Sequence, residues 1–136
     1  MTTNTNPPGT AWMQIVKQKG TSDFAKSFTA DASLQTSALN KAVVGPTHIG
    51  AFFTATSTMY ADFVFSAETV DGTKTYLEWE ATYGGKPVAG ITIVTRNESG
   101  LVHNIKLFQS PLPVVREFSA GLKERLEETL GQDFFS

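Results

Sequence analysis

The chain has no cysteine, two histidines and no clustered run of basic residues. Without cysteine there are no disulfides, no thiolate zinc centre and no cysteine nucleophile. Two histidines far apart in sequence leave no convergent ligand set, so no metal and no cofactor are expected. Eleven Lys and Arg against thirteen Asp and Glu give a formal net charge of −2, the opposite of the basic stripe a nucleic-acid surface needs. No apolar stretch approaches the roughly 20 residues that span a bilayer. The opening MTTNTNPPGT lacks the basic start and apolar centre of a secretory signal. The expectation is a cytoplasmic protein with neither a nucleic-acid nor a membrane partner.

What is present is material for one core. The 136 residues suit a single domain, and ten phenylalanines and two tryptophans supply its large apolar surfaces. Residues 1–10 are rich in Thr, Asn, Pro and Gly and predict a flexible tail. Trp12, Ile15, Val16 and Lys19 follow at helical spacing before Gly20. Ser22 and Asp23 can cap a short second helix presenting Phe24 and Phe28. Alternation over Ala32–Thr36 suggests a short strand. Gly45-Pro46 then opens a third helix with the stripe Ile49, Phe52, Phe53 and Thr56.

From Asp62 the period becomes two, predicting strands over 62–70, 74–83, 87–96 and 101–109. The turns between them, DGTK, YGGK and NESG, carry the glycines that hairpins need. Helices first and strands after imply an α+β fold with a mostly antiparallel sheet. After SPLP, the residues Val115, Phe118, Leu122, Leu126 and Leu130 form the stripe of an amphipathic helix, giving a C-terminal helical extension over 111–136. Its apolar side must rest on the domain or on a partner.

Strand parity decides what faces the interior. In TYLEWEATYGG, Leu77 and Trp79 share one face while Glu78 and Glu80 share the other. The two carboxylates would stand about 6–7 Å apart, between the separations of retaining and inverting paired-acid glycosidases. Burying them unpaired would cost several kcal/mol, so Trp79 goes in and both glutamates go out. Gly84-Gly85 reads as a hairpin turn, since no helix follows to make it a phosphate loop.

The segments FTADASLQ, VVGPTHIGAFF, DFVFSAETVDGTKTYLEWEATYGGKP and SGLVHNIKLF, in this order and spacing, resemble the nuclear transport factor 2-like superfamily. That superfamily includes SnoaL-like cyclases and ketosteroid isomerase. The resemblance covers residues 11–110 and implies a cone of three N-terminal helices on a curved sheet, often dimerising through its outer face. Here that face would carry Tyr76, Glu78, Glu80, Lys106 and Phe108, so a homodimer is expected.

Ketosteroid isomerase uses a carboxylate base with a tyrosine and a protonated aspartate as oxyanion hole. In this chain the matching positions hold Thr36, Trp12 and Thr92, none of them the required residue. The resemblance therefore implies the fold without that mechanism.

The inward apolar positions place Trp12, Phe53, Leu77, Trp79, Ile105 and Leu107 around a cavity, with Thr36, Thr92 and Gln109 as its neutral polar members. Such a lining suits a small apolar molecule; it would equally suit a solid core. His103 shares the parity of Ile105 and Leu107, so it is expected to point inward as a general base for a cofactor-free lyase or isomerase. The alternative is a non-catalytic binding or accessory domain. His48, Asp31 and Asp62 read as surface or turn residues.

Overall fold

The computed structural model describes residues 7–135. Of the expected tail, positions 1–6 lie outside the described residues. Gly9 and Thr10 belong to the folded chain: Gly9 is buried and Thr10 opens helix α1 (Thr10–Val16). A single helical turn, α2 (Ser22–Ala25), leads to strand β1 (Phe28–Thr36). Phe28, expected on a helix, starts this strand instead. It pairs with Val102, and its ring lies 4.6 Å from that of Phe24. A two-residue strand β2 (Val43–Val44), too short to show a period, precedes α3 (Pro46–Ser57). Proline fits the first turn of α3, where its missing N–H would be unsatisfied anyway. The stripe Ile49, Phe52, Phe53 and Thr56 is buried.

Four long strands come next: β3 (Ala61–Asp71), β4 (Lys74–Tyr83), β5 (Lys86–Arg96) and β6 (Val102–Ser110). The six-stranded sheet has the order β2-β1-β6-β5-β4-β3. It is mixed: β1 runs parallel to β6, and the other neighbours are antiparallel. Tyr83 pairs with Lys86 across Gly84 and Gly85, both at positive φ. That is the backbone a tight two-residue hairpin requires. Edge strand β3 changes register twice, and Asp62 sits at φ 54 between the first pair of registers. Such irregularities bend a strand and blunt an exposed edge.

Helix α4 (Leu112–Leu130) lies on its own chain, against α3, β5 and β6. Val114, Phe118, Leu122 and Leu126 join the same buried cluster as the sheet's inner face. The last described residues are tied down as well. Ser119 Oγ donates to the Ala38 carbonyl at 2.7 Å, the Asn40 N–H donates to the Phe134 carbonyl at 2.9 Å, and Phe135 is buried. Lys123 and Glu127 form an i,i+4 pair at 3.7 Å, although exposed pairs of this kind contribute little.

Candidate functional site

The parity of β4 puts Leu77 and Trp79 inside and leaves Glu78 and Glu80 exposed. Two cross-strand rows build the floor beneath the helices: Leu77–Thr92–Leu107 and Trp79–Gly90–Gln109. Gly90 is needed there. A Cβ would collide with the Trp79 indole and with the Phe108 carbonyl oxygen, so its absence lets the indole lie flat across β5.

Tyr60 is one residue that sequence reasoning missed. It stands between α3 and β3, where neither the helical nor the strand period applies. Its ring stacks on Phe118 at 4.7 Å and meets Trp79 edge to face at 5.3 Å. Its hydroxyl donates to Gln109 Oε1. Burial pushes the phenol well above its ordinary pKa, because the ionised form would lose its water.

Tyr60 therefore stays neutral in the folded chain, while the unfolded chain ionises near the ordinary value of about 10. Stability contributed by the neutral phenol is full below about pH 10 and is lost as pH rises beyond it. Tyr60→Phe should flatten that alkaline loss while costing about 1–2 kcal/mol at pH 7 by leaving Gln109 Oε1 without its donor. Urea unfolding at pH 7 and pH 11 reads both effects.

These residues enclose a pocket of about 230 Å³. Trp12, Met13 and Val16 of α1 form one wall, and Phe53, Thr56, Ser57 and Tyr60 form a second. Phe63 and Phe65 of β3 close a third side, and Trp79, Thr92 and Leu107 make the floor. None of these residues is charged. A hollow of about 370 Å³ between α2 and α3 lies outside this inner face. It is walled mainly by small residues such as Gly20, Ala25, Gly50 and Ala51, which offer a ligand little side chain to grip.

Five of the expected site residues line the pocket: Trp12, Phe53, Trp79, Thr92 and Leu107. The others stand behind it. Leu77 and Ile105 are fully buried in the core, Thr36 Oγ1 accepts from the Ala38 N–H at 3.2 Å, and Gln109 holds Tyr60.

The inward placement of His103 is corrected. The β5–β6 register shifts between the pairs Thr95–Asn104 and Arg96–Val102. That irregularity buries Val102 and turns the neighbouring His103 outward, its side chain 54% exposed and 4.0 Å from the Asp31 carboxylate. The alternation that carried Ile105 and Leu107 inward thus fails two residues earlier. His48, Asp31 and Asp62 are exposed. Among the described residues no group of acids or histidines is arranged to hold a metal ion.

No protein-family model matches the sequence, and no match is found among curated proteins. Solved structures do match. A steroid delta-isomerase from Pseudomonas aeruginosa is 18% identical with a TM-score of 0.76, over 88% of this chain and 89% of that one. An uncharacterised protein with a cystatin-like fold from Silicibacter pomeroyi is 20% identical with a TM-score of 0.78, over 90% and 87%. A hypothetical protein with a ketosteroid isomerase-like fold from Catenulispora acidiphila, in complex with trimethylamine, is 15% identical with a TM-score of 0.58, over 85% and 95%. Further matches are described as NTF2-like. The chain has the nuclear transport factor 2-like fold. Likeness at these identities reaches the fold and not the activity.

Proposed function

We propose that this protein binds a small, compact, largely apolar molecule in the pocket between α1, α3 and the inner face of the sheet. The observation that carries this reading is the lining itself: uncharged, dominated by aromatic rings, with three aliphatic hydroxyls as polar points. This is the usual composition of a small-molecule site. The volume sets the size class. An engineered apolar cavity of about 150 Å³ holds benzene, so about 230 Å³ suits one or two small rings and not a four-ring skeleton. A protein of the same fold is in complex with trimethylamine, also a compact organic molecule.

Binding fits the lining better than acid–base catalysis does. No carboxylate or imidazole is among the lining residues, and His103 faces away from them. The remaining candidates for chemistry are hydroxyls, which orient a ligand but do not exchange protons readily near neutral pH. A thermal-shift screen tests the reading. A ligand at a hundred times its Kd should add about 2.7 kcal/mol of stability, a shift of several degrees. Small aromatic and branched aliphatic compounds that all leave the melting temperature unchanged would remove the basis for it.

A second reading concerns the outer face. Ile91 pairs laterally with Phe108 and with Glu78, and Ile93 pairs with Lys106 and Tyr76. Phe108 and Val64 are exposed there. An apolar centre rimmed by Glu78, Glu80 and Lys106 has the make-up of a contact surface. It supports a homodimer packed sheet to sheet. Analytical ultracentrifugation should give a dimer that Phe108→Glu converts to a folded monomer. A monomeric parent chain would contradict the dimer.

A further inference from the structure

If the pocket is the binding site, as proposed above, a ligand needs a way in. Most of the lining residues are buried, and Ser57 and Phe63 are the exposed ones. Ser57 is small and covers little. Phe63 lines the pocket with a large ring, yet it is 38% exposed. A ring that touches both the pocket and the water stands at the boundary between them.

Other rings hold it in place. Phe63 lies nearly flat on Trp79 at 5.0 Å, meets Phe65 edge to face at 5.0 Å and leans on Tyr60 at 5.6 Å. The backbone beneath it is less firmly fixed. Ala61 pairs with Thr82 and Val64 with Glu80, so β3 uses one residue more than β4 over this stretch. Asp62, at φ 54, and Phe63 fall in the gap between those pairs. β3 is also the last strand of the sheet, so no further strand flanks it. A bulge on an edge strand interrupts the ladder that would otherwise hold the chain still.

The neighbouring walls are tied down more tightly. Tyr60 is bonded to Gln109 and stacked on Phe118. Phe65 is pinned beneath Gly9, where a Cβ would collide with its ring. Phe53 meets the rings of both Trp12 and Phe52. Phe63 gives up only its ring contacts when it turns outward, and it uncovers Trp79, which is 2% exposed beneath it. We propose that Phe63 is the gate of the pocket, swinging away from Trp79 to admit a ligand and returning to close over it.

Kinetics separate a gate from a wall. Nitrobenzene, one uncharged ring that quenches indole emission, is mixed rapidly with the parent chain and with Phe63→Ala. Association and dissociation rate constants are read from the emission of the tryptophans, both of which line the pocket. A ring that must move for both uptake and release slows both steps. Its removal should raise both rate constants about tenfold and leave Kd within about threefold. Phe63→Leu should fall between the two, and it takes the place of Phe63→Ala if that variant melts early. A rise in dissociation alone would make Phe63 an ordinary wall contact, since lost contacts act mostly on release. Unchanged rates would place the way in elsewhere, beside the half-buried Met13. Either result overturns the gate, while saturable binding leaves the pocket reading standing. Saturable quenching in none of these proteins would remove both.

Discussion

A chain cut after Pro111 should not fold cooperatively. The removed segment carries Val114, Val115, Phe118, Leu122, Leu126 and Phe135, each 7% exposed or less. At about 1.5–3 kcal/mol per large side chain, the lost burial is as large as the whole stability of a typical domain, about 5–15 kcal/mol. Removing the segment also recovers its ordering entropy. That gain is offset by the surface the remainder exposes, since Phe118 covers the rings of Tyr60 and Tyr83. Far-ultraviolet circular dichroism should show no sigmoidal melt, and an apolar dye should bind strongly. A truncated chain that melts sigmoidally within about 5 °C of the full-length chain would mean that α4 is an appendage.

Trp79→Ala should have the second-largest effect, about 3–5 kcal/mol, the usual cost of truncating a buried aromatic. Trp79 is 2% exposed and touches Tyr60 and Phe63 while covering Gly90. The cavity left by its removal opens onto the pocket, so ligand binding should fall together with stability. For a chain of this length the melting temperature should drop by about 10 °C or more. Trp79→Phe should recover much of the stability, because a ring still spans the space above Gly90. Equal melting temperatures for the parent and Trp79→Ala would show that the indole is not part of the core.

The α4 stripe and the surroundings of Trp79 also show where sequence patterns are reliable. Phe118, Leu122 and Leu126, like the alternation in β4, come from long, regular elements, where burial and period reinforce each other. Each misplacement falls where a period breaks. His103 stands beside an irregular register at the start of β6, and a shift of one residue reverses every facing. Tyr60 sits in the junction between α3 and β3, so no alternation pointed to it. Phe28 is shared between the end of one pattern and the start of another, and its strand is longer than its alternation revealed.

The candidate site divides in the same way. Trp12, Phe53, Trp79, Thr92 and Leu107 were legible because each lies within a regular element and faces the core. Leu77, Ile105, Thr36 and Gln109 also face inward. Whether an inward residue reaches the pocket or stands behind it depends on how far each helix is held from the sheet. That distance is set by contacts between remote side chains, such as Tyr60 on Phe118 and Trp12 on Phe53, and no local pattern encodes it.

The central claim, a ligand pocket walled by both tryptophans, is tested most directly by titrating a small aromatic or branched aliphatic compound that raises the melting temperature into two single-tryptophan proteins, Trp12→Phe and Trp79→Phe. Trp12 and Trp79 sit on opposite sides of one pocket, so each remaining tryptophan should change its emission saturably, and each curve should reach a plateau. Emission that stays flat in both proteins, or that changes only in linear proportion to added ligand, would contradict it.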